Sequence, residues 1–203
     1  MTPVPPTVLC IAGSPRRNGN SDRLIHAAEE GITEGGGTAL RLVVSEAGIA
    51  PCRGCNACSK TGSCVVRDGM QDVYPLLDAA DAILVGTPVF FATVPAVLKA
   101  LYDRCQPYWA RRYVLGHPIA RRRPGALLLV RGGGDPFGGD CAVTTTRSVF
   151  AVLGVDLVEQ LDLMGPDAPS DVEDYPDAVA RAHQIGLSMV ALARTGDGGG
   201  DRP

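Results

Sequence analysis

Four cysteines crowd into one short segment, where Cys52, Cys55, Cys58 and Cys64 read C-x2-C-x2-C-x5-C. Thiolates are the usual ligands of iron–sulfur clusters, and three at successive x2 spacings can converge on one cubane from a short loop. The familiar bacterial run ends x3-C-P; here the fourth cysteine follows five residues later, with no proline behind it. Zinc more often takes two separated CxxC knuckles, and thiols this dense also suit disulfide exchange. Three chemistries therefore stay open for the four: a cluster, zinc, or redox-active thiols. Of the other cysteines, Cys10 sits inside an apolar run and reads as buried, while Cys105 and Cys141 read as surface thiols.

Three turns offer a second kind of chemistry. Gly13-Ser14-Pro15-Arg16-Arg17-Asn18-Gly19-Asn20-Ser21 follows an apolar run and precedes a helical pattern. Such a turn presents backbone N–H groups, hydroxyls and a helix N-terminus to an anion. It has neither the GxGxxG of a dinucleotide fold nor the GK[ST] ending of a P-loop, so a monophosphate fits it better than a triphosphate. In Gly86-Thr87-Pro88-Val89-Phe90-Phe91-Ala92-Thr93, the paired aromatics offer a flat apolar wall and the Thr87 hydroxyl can meet a ring edge. The third turn, Arg131-Gly132-Gly133-Gly134-Asp135, lets backbone approach a flat ligand closely.

The elements that must position these turns alternate between β-rich runs and helical patterns, the signature of a doubly wound parallel sheet. Strands are expected at Thr7–Ala12, Thr38–Val44, Ala82–Gly86, Gly125–Val130 and Val155–Leu161. Helices are expected from Asn20 or Ser21 as N-cap to Glu34, then at Met70–Ala80, Pro95–Cys105, Asp140–Leu153 and Tyr175–Ala193. A cysteine-bearing loop fills 47–67. The expectation is an α/β fold with a five-stranded parallel sheet in one domain, 1–194, and a disordered glycine-rich tail, 195–203. In such sheets ligands sit beyond the carboxyl ends of the strands, where strand order reverses, and all three turns lie at such ends.

Composition narrows the partners. A formal net charge of −3 and a pI of about 5.6 give no reason to expect nucleic acid. Arg111-Arg112 and Arg121-Arg122-Arg123 read as solvated surface or ion pairs. No run approaches the ~20 apolar residues of a membrane span. The proline-rich start lacks the pattern of a signal peptide, so a cytoplasmic protein with reduced thiols is expected. The three histidines, His26, His117 and His183, read as surface or satisfied core residues.

Taken together, GSPRRNGNS, TPVFFATVPAVLKALYDR and the glycine-rich third turn resemble the NADPH-dependent FMN reductase family of flavodoxin-like proteins, over Val8 to about Ala193. The resemblance implies that Ser14, Arg16, Asn18, Asn20 and Ser21 hold an FMN phosphate, with Arg17 as a substitute for Arg16. It places Pro88, Val89, Phe90 and Phe91 along the isoalloxazine, and Gly132, Gly133 and Gly134 closing the site. The cysteine motif is similar to that of the iron–sulfur flavoprotein branch, whose members carry a [4Fe–4S] cluster. It implies Cys52, Cys55, Cys58 and Cys64 as ligands, a ferredoxin-like donor and a homodimer. A homotetramer, as a dimer of dimers, is the other expected assembly. Here Asp68-Gly69-Met70 departs from the acidic step seen before the corresponding helix.

The expected function is that of an FMN-dependent redox protein passing electrons between cluster and flavin, with the chemistry carried by the flavin rather than by a side chain. The alternatives are an NAD(P)H-dependent FMN or quinone reductase without a cluster, and a cysteine-based redox sensor or binding module. In the reductase reading, arginines near Arg111 or Arg121 would meet a 2′-phosphate.

Overall fold

The computed structural model describes residues 4–134 and 136–196. Its five parallel strands are β1 (Thr7–Ala12), β2 (Thr38–Val43), β3 (Ala82–Pro88), β4 (Arg123–Arg131) and β5 (Val155–Met164). Their spatial order is β2-β1-β3-β4-β5, the flavodoxin-like order. The central strands are nearly continuous apolar runs because helices cover both faces. The edge strand β5 alternates along most of its length, with every second residue toward solvent.

Helices α1 (Asn20–Glu34) and α7 (Pro176–Thr195) pack on one face of the sheet. On the other lie α3 (Met70–Ala79), α4 (Ala96–Asp103), α5 (Gln106–Tyr113) and α6 (Asp140–Leu153), while α2 (Cys58–Thr61) is one turn within the cysteine loop. On α1, Leu24, Ile25 and Ile32 are fully buried, each contributing roughly 1.5–3 kcal/mol. The backbones of α1 and α7 touch at two glycines. A Cβ on Gly31 would stand 2.1 Å from the His183 carbonyl oxygen, and one on Gly186 2.0 Å from that of Ala28. This contact fixes the axis of α1 and hence where its N-terminus meets the sheet.

Several boundaries differ from the expectation. Strand β3 continues to Pro88, so Thr87 is a buried strand residue rather than part of an open turn. Strand β4 starts two residues early and β5 ends three residues late. The expected helix Pro95–Cys105 is α4 alone; the chain turns at Arg104 and Cys105, and α5 restarts with Pro107 in its first turn. Proline has no N–H to extend α4's ladder but suits a helix start. Cys105 is therefore buried rather than a surface thiol. Its Sγ donates to the Leu101 carbonyl at 3.5 Å, and burial pushes its pKa up to about 12. At the other end of the chain Thr195 closes α7, and residues 197–203 of the expected tail lie outside the described residues.

Candidate functional site: a flavin cleft and a thiol cavity

Strand order reverses between β1 and β3, and their carboxyl ends open on a cleft of about 100 Å³. Gly13 hands the chain out of β1, its N–H donating to the Gly86 carbonyl at 2.8 Å. Ser14 is buried, and its Oγ accepts the Arg16 N–H at 3.0 Å. Asn18 takes the left-handed conformation, and its N–H donates to Asp22 Oδ2 at 3.0 Å. Helix α1 then starts at Asn20, with Gly19 rather than Asn20 or Ser21 as its N-cap and no side-chain cap. The first-turn N–H groups of a helix lack intrahelical acceptors, so an uncapped start is chemically suited to a phosphate.

Of the residues expected to bind the cofactor, Ser14, Arg16, Asn20, Ser21, Pro88, Val89, Phe90 and Gly132 line this cleft. Asn18, Thr87, Phe91, Gly133 and Gly134 do not. The Thr87 hydroxyl donates to the Pro88 carbonyl at 3.0 Å. Arg17 pairs with Glu46, which leaves Arg16 as the arginine of the first turn in the cleft.

The two phenylalanines part company. Phe90 and Thr93 exchange backbone hydrogen bonds at 2.8 and 3.1 Å across a two-residue turn. Both residues of that turn, Phe91 (φ 49°) and Ala92 (φ 64°), have positive φ. A mirror-image turn of this kind normally takes Asn or Gly. Phe91 is 99% exposed, whereas Phe90 lines the cleft.

Sequence reasoning missed the wall formed by Pro166, Asp167 and Pro169; Arg131, which also lines the cleft, belongs to the third turn. The loop after β5 folds over the first turn: Asn20 Nδ2 donates to the Ala168 carbonyl at 2.8 Å and its Oδ1 accepts the Val172 N–H at 3.1 Å. The signal was present, since this loop also leaves the carboxyl end of a strand.

The cysteines lie elsewhere. Cys52, Cys55, Cys58 and Cys64 all line one cavity of about 340 Å³, with Arg53, Asn56, Asp103 and Arg104 among the other walls. Left-handed Gly54 and Asn56 turn the chain sharply between the cysteines. Cys52 and Cys55 are exposed, Cys58 is buried and Cys64 is half-buried. Burial pushes the Cys58 thiol up, and neighbouring Cys64, Cys52 and Cys55 add to the push. Cys58 thus lies close enough to the other three cysteines to feel each of them. Among the described residues, no group of three or more His, Cys, Asp or Glu side chains is gathered as tightly as one metal ion needs.

Helix α4 joins the two places. It follows the Phe90–Thr93 turn, and Asp103 and Arg104 at its other end line the thiol cavity. Its eight residues span about 12 Å. Of the arginines considered for a 2′-phosphate, Arg111 donates from Nε to the Gly62 carbonyl of the cysteine loop at 2.7 Å, while Arg121 precedes β4 at the amino-terminal end of the sheet. Arg121 pairs with Asp81 and Arg122 with Asp156. Arg123, expected at the surface, is buried and donates to the Leu77, Ala80 and Leu153 carbonyls at the ends of α3 and α6.

Residues 6–168 match the family model described as NADPH-dependent FMN reductase. The chain belongs to that family. It is 37% identical over 122 residues to an iron–sulfur flavoprotein of Methanosarcina thermophila, covering 60% of this chain and 61% of that one. An iron–sulfur flavoprotein of Archaeoglobus fulgidus is 31% identical over 149 residues, 73% of each chain. This family member therefore spans less than two thirds of the length of its Methanosarcina relative. Its fold is also that of the NAD(P)H:quinone oxidoreductase from Methanothermobacter marburgensis, with a TM-score of 0.67 at 19% identity over 91% of this chain and 97% of the other. No helix among the described residues is long and apolar enough to cross a membrane.

Proposed function

We propose that this family member is an FMN-dependent oxidoreductase that passes electrons between FMN in the cleft and a [4Fe–4S] cluster on Cys52, Cys55, Cys58 and Cys64. The observation that carries the reading is the placement of all four thiols around one cavity at one end of α4, with the flavin cleft at the other. In the cleft, the uncapped start of α1, Ser14, Ser21 and Arg16 suit a phosphate, while Pro88, Val89 and Phe90 give a ring an apolar wall. Four thiolates around one cavity would call for a cationic group. Sulfurs arranged around a cavity rather than a point favour a polynuclear cluster over a single zinc.

Bound there, the flavin and cluster supply the redox chemistry and the protein supplies binding, orientation and electrostatics. Arg16 and the α1 amides would neutralise the phosphate, Phe90 would give the ring an apolar wall, and the loop carrying Pro166, Asp167 and Pro169 would limit solvent access to the cleft. A ferredoxin-like donor, a homodimeric or homotetrameric assembly and a cytoplasmic location belong to the same proposal.

Anaerobic purification followed by iron, sulfide, zinc and FMN quantification per chain tests it. Flavin bands with a broad dithionite-bleached absorbance, and iron and sulfide in equal amounts, are expected. The competing reading is an NAD(P)H-dependent FMN or quinone reductase without a cluster, favoured by the family match and by the exposure of Cys52 and Cys55. Flavin bands alone, bleached by NADPH and restored by a quinone, would decide for it.

A further inference from the structure

We propose that Arg104 and Asp68 form a clasp that closes the cysteine loop and holds the four thiols around their cavity before any metal arrives. The cluster half of this inference rests on the function proposed above; the loop-closing half does not. Residues 50–68 contain one short helix and no strand, so little within the segment opposes the entropy of an open loop.

Both of its ends converge on one guanidinium. Arg104 Nη1 donates to the Ala50 carbonyl at 2.9 Å, just ahead of Cys52. Its Nη2 reaches the Val66 carbonyl at 3.4 Å, just after Cys64. The same fork grips Asp68 at both oxygens, at 2.6 and 3.0 Å. Asp68 completes the ring of bonds: Oδ2 accepts the Ala50 N–H at 2.9 Å and Oδ1 accepts the Met70 N–H at 3.1 Å, where α3 begins.

Arg104 is placed to act on the cavity as well as on the loop. Its side chain is 0% exposed, and the residue lines the thiol cavity. Its Nε has no hydrogen-bond partner. The Tyr74 hydroxyl donates to its carbonyl at 2.8 Å, which anchors the backbone from α3. A buried guanidinium is costly unless paired, and here every bond it makes ties the two ends of the loop together. A planar fork with donors on two nitrogens can bridge Ala50, Val66 and Asp68 at once; a lysine ammonium cannot match that geometry. Arg104 is therefore a positioning residue for the thiols, acting through the loop's ends.

The test uses the full chain and the variants Arg104→Met, Arg104→Lys and Asp68→Asn. Each is reconstituted anaerobically with iron and sulfide, and iron, sulfide and FMN per chain are measured. In parallel, the metal-free proteins are digested with trypsin, which cuts after Arg53, Lys60 and Arg67, and the alkylation rate of Cys58 is followed by mass spectrometry. The clasp predicts that Arg104→Met keeps wild-type FMN content, binds iron about tenfold more weakly, and is cleaved and alkylated faster in the loop. Arg104→Lys falls between the two. If Arg104→Met fails to bind FMN, Asp68→Asn carries the same comparison.

Wild-type rates of cleavage and alkylation in these variants overturn the clasp. Faster rates with unchanged iron affinity overturn its role in preforming the cluster site. A wild-type chain that holds FMN but takes up neither iron nor sulfide sinks the cluster reading instead. The loop closure is then judged on cleavage and alkylation alone.

Discussion

The flavin cleft and the thiol cavity are assembled by opposite means. Each wall of the cleft leaves the end of a strand whose register is set by a ladder of backbone bonds, so its residues are held by the sheet. The cavity is lined largely by a loop with no strand in it, and the bonds that gather its two ends meet at one buried ion pair. The lesson is one of distribution. Where many weak constraints share the positioning, a single substitution disturbs one contact; where one ion pair joins both ends of a loop, a single substitution disturbs all four thiols at once.

The sharpest way to separate the regions is to remove a thiol. Cys64→Ala should abolish iron and sulfide binding on reconstitution while leaving FMN per chain unchanged. Loss of both groups together would mean that cavity and cleft are one coupled site.

Asp68→Ala comes next. It leaves the fully buried Arg104 without its carboxylate and should cost about 3 kcal/mol of stability, read from urea midpoints. The acid limb has a definite sign. The Arg104 hydrogen bonds hold the Asp68 carboxyl below its usual 3.8. Its contribution is therefore present above that value and is lost as pH falls through the depressed one. The stability gap between wild type and Asp68→Asn should stay open at pH 5 to 7 and narrow only below the ordinary carboxylate range.

In the cleft, effects should be smaller and graded. Arg16→Glu should weaken FMN roughly tenfold, or about 1.4 kcal/mol, in a fluorescence titration. Arg17→Glu, whose wild-type side chain is engaged with Glu46, should change it far less. Smallest of all is Phe91→Ala. A side chain 99% exposed should shift stability by less than about 0.5 kcal/mol. A marked loss of FMN affinity in this variant would show that Phe91 folds back over the ring when flavin binds.

Much of the fold was legible because its signals are local. The apolar run TVLCIA followed by Gly13-Ser14-Pro15 marks a buried strand and its exit, and Leu24, Ile25, Ala28 and Ile32 mark the face of α1 that the core covers. The end of α4 was legible to within two residues, at Cys105, but α5 was missed because Pro107 reads equally as an end or a beginning until packing decides. The two phenylalanines read as one wall since adjacency in sequence says nothing about a turn that sends them apart.

The sequence by itself determined the alternation of strands and helices, the three turns at strand ends and the cysteine spacing, since each depends on neighbours a few residues away. Tertiary structure alone decided that the loop after β5 covers the first turn, that Arg123 caps two helices from within, and that Arg104 joins Ala50, Val66 and Asp68 across 36 to 54 positions of chain. Hydrogen bonds and charges act through space, and no period in the chain records which distant groups packing will bring within hydrogen-bonding distance of each other.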